Sequence, residues 1–388
     1  MPPKQFETIW RAEPHTIAKI VILKAYLKAW FPILGQTMLD QPVLYVDGFA
    51  GPGEYTNYPD GSPVAALAAA REAVEGLGEK WIAGPIYCTF IEEDTKRYEN
   101  LKTRLKDIPA HPKIHVQTIN SNFVDGIDRV RKELPKFFTQ KQPLFVFVDP
   151  FGATGVPFSV IKDILASPCS EVLINHDADG IGRIFKARSG EEHDRLLDCV
   201  FGDRSWGESL RTNCDFPVVC RQILELYKDQ LRSIPGVKYV FPFEMRSKTD
   251  LVNYHLVFAS QNPKGLEKMK EAMQTMDQSG GYSFSDGRVN QPLLFRFDRP
   301  EEFAVQLHHH FLGREASYKE MLEFALNETP FLNPKAMLKV LEKEELIVVQ
   351  SLDLKRHRGH FKEATLISVR FVPAKPTQPK QGELFGGT

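Results

Sequence analysis

The run Leu144-Phe145-Val146-Phe147-Val148 is apolar without alternation and is closed at once by Asp149-Pro150-Phe151-Gly152. A strand with one wet face alternates apolar and polar residues, whereas a strand covered on both faces does not. The run therefore predicts a central parallel strand, which needs helices on both faces of its sheet. Four other strand candidates accompany it, less clearly marked. Val43–Val46 ends in Asp47, and Ile86–Ile91 ends in Glu92. Ile114–Ile119 leads into Asn120-Ser121-Asn122, and Glu171–Asn175 leads into His176-Asp177-Ala178-Asp179-Gly180. Between them lie helix-like stretches at 15–34, from Ser62 onward, at Arg97–Leu105 and at Pro157–Leu165. Strands alternating with helices predict a doubly wound α/β sheet. Ligands of such sheets bind outside the carboxyl ends of the strands. Asp47, Glu92, Asn122, Asp149, Asp177 and Asp179 all fall at those ends and are expected to converge on one rim.

Asp47 opens a glycine-rich turn, Asp47-Gly48-Phe49-Ala50-Gly51-Pro52-Gly53. Glycines let a backbone approach a ligand, and amides at a helix start near Ser62 can meet its polar end. Asp47 is placed to accept hydrogen bonds from a bound amine or hydroxyl. An acid ending the second strand of a βαβ unit is placed to bind both hydroxyls of a ribose, and Glu92 holds that position. The simpler alternative is that the acidic cluster caps a helix, with Asp94 or Thr95 at the cap. Asn122 either reads the edge of a base or is an ordinary turn residue. His15 and Lys19, four apart, share one helix face, for which a solvated polar face is the simpler reading.

Beyond the fifth strand, residues 181–235 read as an inserted helical cap beside the site. Tyr239–Met245 and Tyr254–Ala259 read as an antiparallel hairpin closing the sheet, followed by a helix at Gly265–Met276 and a linker over 279–300. The tail reads as two short helices, Tyr318–Leu326 and Pro334–Leu341, then a hairpin of Leu346–Gln350 and Thr365–Val369. Its tip carries Lys355, Arg356, Arg358 and Lys362. Helix, helix and basic hairpin resemble a winged helix-turn-helix. Such a tip can grip phosphates with salt-dependent, weakly sequence-specific affinity, the alternative being a solvated charged loop. The expected organisation is a Rossmann-like domain over 1–300, a winged helix over 301–372, and a disordered Pro-, Lys- and Gln-rich tail over 373–388. His308-His309-His310 is expected to be surface, because consecutive side chains on a regular element cannot face one ion.

A formal net charge of -1 gives the chain no global attraction to nucleic acid, so any such affinity is local. No apolar run reaches membrane-spanning length, and Met1-Pro2-Pro3-Lys4-Gln5 lacks a signal-peptide core. Five cysteines without a Cys-x-x-Cys pair read as reduced thiols of a cytoplasmic protein.

Asp47–Gly53, Phe90-Ile91-Glu92 and Asp149–Gly152 resemble the first, second and fourth motifs of class I S-adenosylmethionine-dependent methyltransferases. Over residues 10–370 the chain resembles more closely the three-Cys-motif partner protein family. That likeness takes in His15-Thr16–Lys19, Tyr26-Leu27, Asp177-Ala178-Asp179-Gly180–Arg183, Gly202–Trp206 and Leu256-Val257-Phe258-Ala259. The resemblance implies a Rossmann-like methyltransferase sheet with a C-terminal winged helix in a bacterial or phage-associated protein. It also implies a radical-SAM-like partner with three cysteines. By position, Asp47, Gly48, Phe49, Gly51 and Gly53 would hold the methionine end of S-adenosylmethionine, Glu92 its ribose and Asn122 its adenine. Asp149, Pro150 and Phe151 would meet the target, as in enzymes that methylate exocyclic amines of nucleic-acid bases. Asp149 and the Pro150 carbonyl would accept the amine hydrogens, and Phe151 would stack on the base. Phe151-Gly152 departs from the Pro-Tyr or Pro-Phe of the amino-methylating DNA enzymes. Two other readings compete. One is a Mg²⁺-dependent nuclease or phosphotransfer enzyme using Glu92, Asp149, Asp177 and Asp179. The other is a non-catalytic nucleic-acid-binding partner of a radical enzyme.

Overall fold

A computed structural model describes residues 8–153, 155–188, 190–211, 214–289 and 299–373. The chain forms two compact units, Met1–Arg296 and Phe297–Thr388. The first begins with α1 (Pro14–Thr37), β1 (Val43–Asp47), α2 (Ser62–Leu77) and β2 (Ile86–Glu92). It continues with α3 (Thr95–Lys106), β3 (Ile114–Asn120), α4 (Phe123–Glu133), α5 (Lys136–Thr139) and β4 (Leu144–Val148). After α6 (Phe158–Leu165) and β5 (Ser170–His176) come four helices, α7 (Ala178–Ala187), α8 (Glu191–Phe201), α9 (Trp206–Ser209) and α10 (Phe216–Arg232). The unit ends with β6 (Tyr239–Arg246), β7 (Val252–Ser260), α11 (Pro263–Gln274) and β8 (Ser283–Ser285).

These strands form one eight-stranded sheet in the order β3-β2-β1-β4-β5-β7-β6-β8. β3, β2, β1, β4 and β5 run parallel, and only β7 is reversed, wedged between β5 and β6. The winding changes direction between β1 and β4, which is where an open α/β sheet leaves a crevice at its carboxyl edge. β1 and β4 are buried at every position, as their unbroken apolar character requires.

One face carries Leu44, Val46, Val146, Val148 and Ile174 in a core shared with α4, α6, α7 and α10. The helical segment after β5 thus covers the sheet: Val219, Ile223, Tyr227 and Leu231 of α10 belong to the same core. On the other face Tyr26 of α1 packs edge-on to Phe145, with ring centres 5.0 Å apart. Glu171, buried at the start of β5, anchors α1 by accepting hydrogen bonds from Tyr26 Oη at 2.6 Å and Trp30 Nε1 at 2.8 Å. Ser260 Oγ adds a third at 2.7 Å. Three donors offset the cost of burying that carboxylate. The anchor fixes α1 so that its amino-terminal turns, with His15 and Lys19, reach the carboxyl rim.

Two expectations are corrected here, the closing hairpin and the linker. The hairpin of β6 and β7 does not close the sheet, because Ser283–Ser285 pairs parallel to Glu244–Arg246 as β8. A three-residue strand with one buried apolar side chain, Phe284, leaves no periodic signal in a segment that otherwise reads as linker. Pro242 is tolerated in β6 because β8 pairs only with residues 244–246, leaving that stretch an edge. Of the expected linker, 290–298 lie outside the described residues.

The second unit contains α12 (Pro300–Phe311), β9 (Glu315–Ala316), α13 (Tyr318–Glu328), α14 (Lys335–Lys343), β10 (Ile347–Ser351) and β11 (Leu366–Phe371). Its three strands form an antiparallel sheet ordered β10-β11-β9. Leu307, Phe311, Met321, Ala325, Met337, Leu338, Leu341, Val369 and Phe371 form its core. α13 starts with a complete capping box between Ser317 and Glu320. α12 and β9 add to the two helices and hairpin expected from the sequence. His308 is half-buried on α12, its Nε2 2.7 Å from the Val372 carbonyl, while His309 and His310 are exposed. The expected disordered tail lies outside the described residues beyond 373. Among the described residues, no helix is long and apolar enough to cross a membrane, and all five cysteines are free thiols.

Candidate active site

The glycine turn after β1 is stitched across the crevice. The Gly48 amide donates to the Phe147 carbonyl at 2.8 Å, and the Ala50 amide to the Ile91 carbonyl at 2.9 Å. Gly51 and Gly53 have φ of 63° and 84°, a region that strains any side chain, so their identity is set by the turn itself. Gly48 is needed for a different reason: a Cβ there would lie 2.6 Å from the Phe123 ring. Glu92 is almost fully buried at the turn's base. Its Oε2 accepts the Gly51 amide at 2.8 Å and its Oε1 the Asp94 amide at 2.9 Å. Burial raises its carboxyl above the usual range, and the two amides partly counter this. Asn122 caps α4, accepting the Asp125 amide at 3.0 Å and donating to the Asp125 carboxylate at 2.8 Å. Asp94 caps α3 through the Arg97 amide.

A cleft of about 930 Å³ opens over the ends of β1, β2, β3 and β4. It brings together Gly48, Phe49, Glu92, Asn122, Pro150 and Phe151, six residues the sequence had placed in one site. Phe49 stacks on Phe123 at 5.4 Å. Phe151 is 62% exposed, with its ring 5.8 Å from that of Trp10. Arg97 lies 4.9 Å from the Trp10 ring and 5.1 Å from the Phe151 ring. The sequence reading missed Trp10, since a lone aromatic ahead of a helix carries no pattern.

A polar row lies beside the cleft on the α1 face of the sheet. The β1–β4 register sets Asp47 opposite Phe147, so Asp149, two residues on, points to the same side. Continuing the β4–β5 register beyond Val148 and Ile174 sets Asp149 beside Asn175. Asn175 pairs with Leu256, so Tyr254 shares its face. α1 covers the row. Lys19 Nζ donates to both Asp149 oxygens, at 2.7 and 2.6 Å, and Asn175 Nδ2 donates to Asp149 Oδ1 at 2.8 Å. Lys19 is 8% exposed, so the reading of a solvated polar face is overturned; the Glu171 anchor holds this turn of α1 against the rim. His15 Nδ1 meets Asp286 Oδ2 at 2.7 Å. Lys19 Nζ also lies 5.2 Å from the centre of the Tyr254 ring.

Among the described residues, Asp47 Oδ2, Asn175 Oδ1 and Tyr254 Oη of this row are buried without a hydrogen-bond partner, as are Tyr45 Oη and Asp286 Oδ1 beside them. Asp47 is fully buried. Burial pushes its carboxyl up to about 7; Ser62 and the Phe49 amide oppose the rise, and the Asp149 and Glu92 carboxylates add to it. Native proteins rarely leave such atoms unmatched, and a ligand is one way of satisfying them.

The acidic residues do not form a metal site. Asp177 caps α7 through the Gly180 amide, Asp179 pairs with Arg183, and Asp149 is neutralised by Lys19. Among the described residues no group of three or more His, Cys, Asp or Glu side chains is arranged to hold a metal ion. The arrangement expected for Mg²⁺-dependent chemistry at Glu92, Asp149, Asp177 and Asp179 is therefore not formed.

In the second unit the basic tip divides. Arg356 folds back onto the Glu342 carboxylate, and Arg358 Nε donates to the Glu342 carbonyl at 3.1 Å. Burial alone would raise the Glu342 carboxyl, but Arg356, the Gly359 amide and Arg358 overcome this and hold it below the usual range. Lys355 and Lys362 are exposed. Arg356 and Arg358 thus also brace the loop against α14, and Arg358 stays exposed alongside the two lysines.

The chain shows low-level likeness to several solved structures. An O-methyltransferase from Bacillus cereus in complex with SAH is 9% identical over 61% of this chain and 80% of that one, with a TM-score of 0.34. A protein from Haemophilus influenzae, provisionally described as a methylase, is 13% identical over 60% and 87%, with a TM-score of 0.27. A provisional O-methyltransferase from Klebsiella pneumoniae is 8% identical over 64% and 90%, with a TM-score of 0.31. No protein-family model matches the chain, and no curated protein matches it. At these identities and scores the likeness assigns no activity, and the functional reading rests on the sheet and its rim.

Proposed function

We propose that the chain is an S-adenosylmethionine-dependent methyltransferase acting on an exocyclic amine of a nucleic-acid base. The observation that carries this reading is Asp47 Oδ2, a buried and unmatched carboxylate oxygen at the β1–β4 crossing point, beside a glycine turn and a cleft of about 930 Å³. A carboxylate there suits a ligand that brings its own cation, and the α-ammonium of S-adenosylmethionine is such a group. Gly48, Phe49, Gly51 and Gly53 would form the floor beneath the methionine end. Glu92 already uses both oxygens on backbone amides, yet each retains a lone pair for a ribose hydroxyl. The Asn122 amide serves as a helix cap, so its adenine contact would be confined to what that role leaves over. The residues fit the group.

When bound, the group supplies an electrophilic methyl on a sulfonium. Asp149 and the Pro150 carbonyl would accept the hydrogens of the acceptor amine and aim its lone pair. Phe151, exposed at the cleft mouth, would stack on the base. Asp149 Oδ2 would take up the proton that the amine gives up and pass it to water. In the second unit, three helices with a three-stranded sheet, whose strand β9 lies between α12 and α13, support the winged-helix reading, with Lys355 and Lys362 reaching phosphates. The radical-SAM-like partner and the cytoplasmic setting rest on the family resemblance.

The test is methyl transfer from labelled S-adenosylmethionine to single-stranded DNA and RNA carrying all four bases, with products identified as nucleosides by mass spectrometry. Label on an exocyclic amine, lost in Asp149→Ala, is the expected result. Cofactor and nucleic-acid binding without transfer would favour the non-catalytic partner reading instead.

A further inference from the structure

The proposed acceptor contacts use Asp149-Pro150-Phe151 alone and leave two buried polar atoms of the same row unexplained. Asn175 is fixed in orientation: its Nδ2 donates to Asp149 Oδ1 at 2.8 Å, so the buried atom without a partner is the acceptor Oδ1. Asp149 Oδ1 already takes two donors, Lys19 and Asn175, whereas Oδ2 takes only Lys19. The row thus presents two open acceptor positions, Asp149 Oδ2 and Asn175 Oδ1. Tyr254 Oη, on a residue 7% exposed, is a hydroxyl that can donate. Lys19 Nζ, beside the Tyr254 ring and bound to both Asp149 oxygens, holds this geometry from α1.

We infer that Asn175 and Tyr254 are the acceptor-reading residues of this site, and that they select an amino group next to a ring acceptor atom. The inference rests on the methyltransferase reading and deepens it. A primary amine carries two hydrogens, which match Asp149 Oδ2 and Asn175 Oδ1; Asn175 thereby takes the part the resemblance gives to the Pro150 carbonyl. The Tyr254 hydroxyl donates to the ring nitrogen or carbonyl beside the amine. A hydroxyl acceptor supplies one hydrogen and leaves a buried acceptor unmatched; a carboxylate supplies none and faces Asp149. Sites built around such matched pairs discriminate strongly against a ligand lacking one member. Lys19 is a positioning residue here, acting through Asp149.

The experiment compares wild type, Tyr254→Phe and Asn175→Leu. It reads methyl transfer to the oligonucleotides above, S-adenosylmethionine affinity by calorimetry, and thermal stability. Tyr254→Phe removes only a hydroxyl that has no partner among the described residues, so it is expected to keep or raise thermal stability and to keep cofactor affinity within twofold. It is expected to lower kcat/KM for the acceptor by at least tenfold. Asn175→Leu is expected to do the same to transfer. Unchanged kcat/KM in Tyr254→Phe, or wild-type methylation of a hydroxyl, overturns this inference and leaves the methyltransferase standing. Cofactor binding with no wild-type transfer to any base overturns the proposed function, and this inference with it.

Discussion

Asp47→Asn is expected to stabilise the protein and to abolish S-adenosylmethionine binding. The carboxyl rises from 3.8 to about 7 because it is fully buried without a cationic partner. Three units at about 1.4 kcal/mol each mean that ionising Asp47 in the unliganded fold costs about 4 kcal/mol relative to the unfolded chain. A raised carboxyl pKa favours the fold at low pH: its contribution is complete below 3.8 and is lost as pH rises through about 7. The substituted asparagine never ionises and keeps an oxygen for the Phe49 amide. The variant's advantage should therefore grow by about 2 kcal/mol between pH 5 and pH 7, and level off above. Urea denaturation at pH 5, 6, 7 and 8, following wild type and variant in parallel, measures it. A stability difference that does not change across that range would refute the reasoning, because it would mean that Asp47 is ionised in the fold at pH 5.

Glu92→Ala removes the acceptor for the Gly51 and Asp94 amides; cofactor affinity measured by calorimetry should fall at least tenfold, and Glu92→Gln should lose less. Lys19→Met leaves Asp149 without its cation beneath α1, and urea denaturation should show a loss of about 2–4 kcal/mol, reduced from the fully buried case because Asp149 keeps some solvent contact. Lys19→Arg should recover most of it. In the second unit, Lys355→Ala with Lys362→Ala should flatten the salt dependence of nucleic-acid binding by about two contacts and leave stability unchanged. Arg356→Ala should do the opposite, lowering stability by about 2 kcal/mol because Glu342 is left buried and short of its partner.

The parallel sheet was legible because Val43–Val46 and Leu144–Val148 are unbroken apolar runs and Ile86–Ile91 is broken only by Thr89, and burial on both faces accommodates them. The rim followed, since each run ends in a polar residue at the same edge. Lys19 could not be read this way: its burial depends on Glu171 drawing Tyr26 and Trp30 onto the sheet, a contact across more than a hundred residues. Asn175 and Tyr254 were named only as strand members, because their shared face appears only once the reversed β7 is paired with β5. Glu92 and Asn122 also accept backbone amides, from Gly51 and Asp94 and from Asp125, a second role that composition and spacing cannot show. The basic tip shows the same limit: the charge of Arg356 and Arg358 is visible in the sequence, but the bracing by Glu342, more than ten residues away on α14, is not.

The most direct test of the account is calorimetric titration of the protein with S-adenosylmethionine at pH 8 and pH 6. If the ammonium binds ionised Asp47, affinity in the micromolar range at pH 8 should weaken by close to tenfold at pH 6, because the carboxyl titrates near 7. Asp47→Asn should bind at neither pH. Absence of binding by wild type at both values, or equal affinity in Asp47→Asn, would contradict the assignment of this rim to a methyl-donor site.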